Sequence, residues 1–178
     1  MFRSLSILLI CLGLVSVAPV SFAAEKERYR IGAGDLLAIK VFGEEDLSLK
    51  EIRVGTNATI SFPLLGEVSV RNMTAKEFEE KLVRLLKDGY LKKPVVTVSV
   101  IEYRLFYING EVKKPGGYNF VNGLTVQKAV ALAGGFTERA SKDKITIESE
   151  TEPGKVKKAN LNNTVKPGDV ITVDESFF

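Results

Sequence analysis

The side chains able to do chemistry here are carboxylates, a few hydroxyls and one thiol. Histidine is absent from all 178 residues, so one copy assembles neither a Ser-His-Asp or Cys-His nucleophile system nor a zinc shell containing imidazole. Two acidic groups remain as candidates for acid–base work: Glu44, Glu45 and Asp46 after Gly43, and Glu77, Glu79 and Glu80 after Thr74. Cleaving a glycosidic bond takes carboxyls on both sides of it, about 5 to 9.5 Å apart, and a single loop at 44–46 does not supply two walls. The second group has the spacing of a helix start, where carboxylates offset the exposed amides. No phosphate-binding loop of the G-x-x-x-x-G-K-[ST] kind is present. No catalytic, cofactor-binding or metal-binding residue is assigned.

Charge excludes another class. The chain carries 25 Lys plus Arg against 22 Asp plus Glu, and the excess is spread evenly: 13 basic and 12 acidic residues over 24–101, then 11 and 10 over 102–178. A nucleic-acid surface needs a concentrated basic patch, which neither half has. Lys113-Lys114 and Lys155 with Lys157-Lys158 read as solvated turn residues beside Gly and Pro.

The first 23 residues read as a leader rather than part of the fold. Arg3 precedes an apolar run from Leu5 to Ala18, and Ser21-Phe22-Ala23 offers small residues at a peptidase's spacing. Cys11 raises lipidation, but Ile10 before it is large and β-branched, so the cysteine is expected to leave with the leader. The exported protein would then hold no cysteine and no disulfide.

Strands are expected around Leu36–Val41, Ile52–Val54 and Ile60–Phe62, the last two as a hairpin about Gly55-Thr56-Asn57. Pro63 and Gly66 bracket a tight turn before Val68–Val70. Thr74-Ala75-Lys76-Glu77 is a capping box, so a helix starts there, with Phe78, Leu82, Leu85 and Leu86 as its apolar stripe and Gly89 at its end. Pro94 opens a strand through Val100. Another strand follows at Leu105–Ile108, with turns at Asn109-Gly110 and Lys114-Pro115-Gly116-Gly117. Thr125 caps a short helix bearing Val126, Ala129, Val130 and Ala133, stopped by Gly134-Gly135. Ile145–Ile147 and, after Pro167-Gly168-Asp169, Val170–Val173 complete an α+β pattern. Gly34, Gly110, Gly116 and Gly168 sit where turns demand positive φ or close approach, and Asp35 and Asp169 are placed to bond turn amides.

In this order the residues resemble a known family. Tyr29–Asp35, Ile60–Gly66, Thr74–Glu77 and Pro94–Val98 are similar to the bacterial polysaccharide export domain of the Wza type. Ile108–Val112, Pro115-Gly116, Ala131–Gly135 and Pro167–Ile171 resemble one SLBB β-grasp domain. The resemblance implies residues 24–101 as export domain and 102–178 as β-grasp domain, each a small sheet packed on one helix. It also implies a homo-oligomeric ring in the periplasm through which capsular or exopolysaccharide leaves. Expected partners are an inner-membrane polysaccharide copolymerase, with or without a tyrosine kinase, and a separate outer-membrane component. Relatives can carry further β-grasp domains, a membrane-crossing C-terminal helix and a lipidated cysteine. None is expected here, which makes the protein a soluble ring or adaptor associated with the outer membrane through partners. In some relatives the export domain is inserted within the β-grasp unit, which would pair Leu36–Val41 with the second half.

Two other readings accompany this one. A monomeric periplasmic glycan-binding or adaptor module would form no ring, and a carboxylate-dependent glycan hydrolase or lyase would work through Glu44, Glu45 or Asp46. The absence of Trp and the presence of only five Tyr leave few stacking platforms for a high-affinity sugar site.

Overall fold

The computed structural model describes residues 29–176; the leader and Cys11 lie outside the described residues. In the first half, five strands and a helix follow in order: β1 (Leu36–Val41), β2 (Leu49–Arg53), β3 (Thr59–Phe62), β4 (Gly66–Ser69), α1 (Ala75–Lys87) and β5 (Val96–Glu102). Apolar residues alternate along β1, burying Leu37, Ile39 and Val41, and β1 is the centre of a three-stranded antiparallel sheet between β2 and β5. This strand thus pairs within the first half, not with the second as an inserted export domain would have it.

The hairpin expected between Ile52–Val54 and Ile60–Phe62 does not form. Ile52 lies opposite Leu37, while Ile60 lies opposite Val68 in a separate two-stranded sheet of β3 and β4. The turn about Gly55-Thr56-Asn57 is present, with the Ala58 amide donating to the Gly55 carbonyl and the Gly55 amide to the Thr59 carbonyl, each at 2.9 Å, and Ala58 at φ 57°, but pairing goes no further because the Val54 amide is taken by the Asp35 carbonyl at 2.9 Å. The hairpin that does form closes through Pro63-Leu64-Leu65, with Phe62 opposite Gly66.

α1 starts at the capping box: Glu77 N–H donates to Thr74 Oγ1 at 3.2 Å, and Thr74 N–H donates to Glu77 Oε2 at 2.7 Å. Phe78, Leu82 and Leu86 are fully buried, whereas Leu85 is exposed. At 3.6 residues per turn Leu85 lies roughly 60° from the centre of the stripe, at its margin. Glu79 has a role beyond solvation: its Oε1 accepts the Val98 amide of β5 at 2.9 Å, so α1 is tied to the sheet edge it packs on.

The second half contains β6 (Phe106–Gly110), β7 (Gly116–Tyr118), α2 (Val126–Leu132), β8 (Ala140–Glu148), β9 (Val156–Ala159) and β10 (Val170–Glu175). Its five strands lie in the order β7, β6, β10, β8, β9, with β10 parallel to β6. Parallel neighbours need a long connection, here everything between residues 111 and 169. Val126, Ala129 and Val130 of α2, with Ala133 just past its end, are buried in one cluster with Phe106, Ile108, Ile145, Ile171 and Val173. The overall class is therefore α+β.

Of two expected turn segments, Lys157-Lys158 is strand instead, while Asn109-Gly110 ends β6 and leads into the antiparallel return of β7, Ile108 opposite Gly116, with Gly110 itself opposite Val173. A Cβ on Gly110 would stand 2.0 Å from the Val173 carbonyl oxygen, and φ there is +79°, so this glycine serves strand approach. Lys157 and Lys158 lie on β9, opposite Ile147 and Thr146, because the edge of the sheet accepts charged side chains that water still reaches.

Candidate functional site

The chain passes between its two halves at Tyr103-Arg104-Leu105, between β5 and β6, and the turn motifs converge there. Two four-residue turns of the same construction meet at this point. In Gly32-Ala33-Gly34-Asp35 the Asp35 amide donates to the Gly32 carbonyl at 3.3 Å, and Asp35 Oδ2 accepts the Gly32 amide at 2.8 Å. In Lys166-Pro167-Gly168-Asp169 the Asp169 amide donates to the Lys166 carbonyl at 3.2 Å, and Asp169 Oδ2 accepts the Lys166 amide at 2.8 Å. The third residue is glycine in each, at φ +89° and +85°, as a type II turn demands. One turn leads into β1 and the other into β10.

Arg104 lies between them. Its backbone amide donates to Asp35 Oδ1 at 2.8 Å. Its Nη1 donates to the Tyr29 hydroxyl at 2.7 Å and lies 3.4 Å from Asp35 Oδ2, and its Nε donates to Glu150 Oε2 at 2.5 Å. The Tyr29 hydroxyl in turn donates to Asp35 Oδ2 at 2.5 Å. A Cβ on Gly32 would stand 2.4 Å from Nη1 of Arg104, and one on Gly168 would stand 2.9 Å from Nε and 2.2 Å from Glu150 Oε2. Both glycines therefore make room for the guanidinium.

Asp35 is fully buried and the Arg104 side chain is 13% exposed. A charge in such a place is tolerable only when paired and fully hydrogen-bonded. Burial, and then the bond to Asp35, push the Tyr29 hydroxyl well above the ordinary phenol range. Burial works against the Arg104 charge, but Tyr29, Glu150 and Asp35 outweigh it and hold the guanidinium above its usual value. Asp169 differs. Burial raises its carboxyl above the usual range against the opposing pull of the Lys166 amide, and its Oδ1 has no hydrogen-bond partner among the described residues.

Aromatic rings extend the junction: Tyr103 meets Tyr29 edge-on at 4.8 Å and Phe120 at 5.3 Å. Beside Arg104 opens a cleft of about 580 Å³, lined among others by Arg53, Glu102, Tyr103, Tyr107, Asn119 and Glu150. Arg53 is held there by the Gly34 carbonyl at 2.8 Å and by Glu102 at 3.6 Å.

Of the motif residues, Gly34, Asp35, Pro167, Gly168 and Asp169 gather at this junction. In the first half Pro63 lies in the β3–β4 turn, Gly66 opens β4 and Pro94 stands just before β5. Gly134 and Gly135, at φ +80° and +90°, close α2 and pair with the segment before Pro115 and Gly116: the Lys113 amide donates to the Gly135 carbonyl and the Lys114 amide to that of Ala133. Glu44, Glu45 and Asp46 are exposed just beyond the end of β1 opposite to Asp35, away from the cleft. Sequence reasoning missed Arg104, whose partners stand 46 to 75 residues away.

Fold and junction together define an α+β protein of two units, fixed on each other by a buried ionic cluster. Residues 23–101 match the family model described as polysaccharide biosynthesis/export protein, and residues 105–160 match the SLBB domain. The chain belongs to the polysaccharide biosynthesis/export family, with an SLBB domain after its export domain. It is 30% identical to the exopolysaccharide production protein ExoF of Rhizobium meliloti, over 72% of this chain and 34% of that one. It is 31% identical to the EPS I polysaccharide export outer membrane protein EpsA of Ralstonia solanacearum, over 64% of this chain and 36% of the relative. The matches thus span about a third of the length of these curated relatives. Family and relatives are named for export or production of a polymer, not for a catalysed reaction. Among the described residues no helix is long and apolar enough to cross a membrane.

Proposed function

We propose that this chain forms or extends an oligomeric conduit for capsular or exopolysaccharide. It is exported by cleavage after Ala23, and residues 24–101 and 102–178 act as its export and β-grasp domains in the periplasm. Homo-oligomeric rings would stand against an inner-membrane polysaccharide copolymerase, with or without a tyrosine kinase, and against a separate outer-membrane component. In this reading no residue is catalytic. The observation that carries it is the ordered pair of family matches; the Arg104 cluster adds the rigidity that a wall built of repeated subunits requires.

Two experiments test it. Deleting the gene should stop secretion of the polymer while its synthesis continues, and complementation should restore it; unchanged secretion overturns the export role. Light scattering on the exported protein should give one closed multimer of defined mass, because head-to-tail contacts make a ring only when the rotation closes. A strict monomer, alone and with the inner-membrane partner, overturns the conduit and favours the binding or adaptor module.

A further inference from the structure

Tyr107 occupies an unusual place for an aromatic residue. Its neighbours on β6, Phe106 and Ile108, face the core and are fully buried, so strand alternation turns Tyr107 to the opposite face, where it is 46% exposed. Across the strand it pairs with Gly117. A Cβ on Gly117 would come within 3.0 Å of the ring, so the ring lies over the bare glycine backbone. One side of the ring is thereby covered, and the ring lines the cleft beside Arg104.

The polar groups around it are planar and able to bond in pairs: the Arg53 guanidinium, the Glu102 carboxylate and the Asn119 amide. Cationic and anionic groups are balanced in this lining, Arg53 and Arg104 against Glu102 and Glu150. A strongly charged ligand gains little from such balance, whereas a ligand rich in hydroxyls finds donors and acceptors together. Next to Tyr107 on the same sheet face runs a row in register, Asn109, Thr172, Thr146 and Lys158, all exposed or half-buried. The cleft thus opens onto a polar sheet surface.

We propose that the cleft is a saccharide subsite: one pyranose ring lies on the open face of Tyr107, its hydroxyls are held by Arg53, Glu102 and Asn119, and the polymer continues along the Asn109–Lys158 row. The inference rests on the export reading for its choice of ligand. It revises the expectation from composition, because three of the five tyrosines, Tyr29, Tyr103 and Tyr107, are gathered at one junction instead of being dispersed.

The test titrates the exported protein with size-fractionated oligosaccharides from partial hydrolysis of the host's own secreted polysaccharide, followed by calorimetry and saturation-transfer NMR. Tyr107→Ala should weaken binding about tenfold and Tyr107→Phe by no more than about twofold, since the ring supplies the contact. In protein labelled with carbon-13 tyrosine, the Tyr107 ring signals of the unsubstituted protein should move on titration while those of Tyr90 stay put, a readout independent of any variant's folding. Binding that Tyr107→Ala leaves unchanged, movement at Tyr90 alone, or no binding at all overturns the subsite. If any of these occurs in a strain whose secretion depends on the gene, the export reading stands without it. Secretion that survives gene deletion overturns the export reading, while the titration still decides the cleft.

Discussion

Asp35→Asn is the sharpest perturbation of the junction, because it keeps the shape and changes only charge and donor pattern. The carboxylate accepts three short bonds: the Gly32 amide and Tyr29 hydroxyl on Oδ2, and the Arg104 amide on Oδ1. An asparagine has one oxygen, so in either orientation its NH2 group faces a donor. If the oxygen stays with Gly32 and Tyr29, the buried Arg104 amide loses its acceptor, at about 1–3 kcal/mol. The bonds that remain are no longer charge-assisted, and the Arg104 guanidinium loses a buried counter-charge. Together this comes to about 3 kcal/mol, the low end of what breaking one side of a buried pair costs. For a chain of this size that is a fall of roughly 6–12 °C in Tm. Arg104→Met is the control. It removes the counter-charge of buried Asp35 and gives up the 2.7 Å bond to the Tyr29 hydroxyl, a 3.4 Å contact with Asp35 and a bond to Glu150, whose side chain is 48% exposed, but it leaves all three short bonds to the Asp35 carboxylate in place, so it should cost about 2 kcal/mol. Urea unfolding of both variants, read by midpoint at constant m, gives the comparison. The reasoning is refuted if Asp35→Asn costs less than about 1 kcal/mol, or if Arg104→Met costs as much.

Three further outcomes follow from particular backbone positions. Gly110→Ala should prevent stable folding, since its Cβ meets the Val173 carbonyl, whereas Gly66→Ala, at φ +69° with nothing within 4 Å of the new Cβ, should cost only about 1 kcal/mol; equal losses in parallel thermal melts would contradict this. Leu64 holds φ 65° at the tip of the β3–β4 hairpin with its side chain exposed, so Leu64→Asn should raise stability by about 0.5–1 kcal/mol, measured as a higher urea midpoint. For Asp169 the folded carboxyl titrates above its ordinary 3.8, so the folded state holds the proton more tightly than the unfolded one. The stability of the native protein relative to Asp169→Asn should therefore fall as pH rises from below 3.8 through the raised value, then level off. Urea midpoints of the two proteins across the acid range check the sign, and a constant difference would show that the carboxyl is not perturbed.

What could be read from the sequence divides by distance along the chain. Both helices were legible because their caps and stripes are local: Thr74 with Glu77 at one start, Thr125 at the other, Gly134-Gly135 at an end. Pairing was not legible. Asn109-Gly110 has the composition of a hairpin turn, yet the need for glycine comes from Val173, 63 residues away, whose carbonyl leaves no room for a Cβ. Ile52–Val54 and Ile60–Phe62 have the alternation of partners, and each found a different one because Asp35 had already taken the Val54 amide. Arg104 had no local signal at all: a lone cation between two strands means nothing until Tyr29, Asp35 and Glu150 are brought around it.

The two glycine–aspartate turns show how the same local chemistry acquires unequal roles. Each aspartate uses Oδ2 to hold the amide three residues before it, so each shapes its own turn and starts a strand, one in each half. The remaining oxygen decides the difference. Asp35 Oδ1 receives the Arg104 amide from the crossover segment, which converts a turn-forming residue into the link between halves; Asp169 Oδ1 receives no such bond, and burial outweighs what the Lys166 amide, Ser149 and the nearby cations give back. Replacing the two carboxylates by amides should accordingly have opposite signs at neutral pH. Asp35→Asn breaks an acceptor that three donors share, while Asp169→Asn keeps the bond from the Lys166 amide and removes a charge that burial disfavours. If both variants lose stability equally, the turns are equivalent and the junction does not depend on the crossover amide.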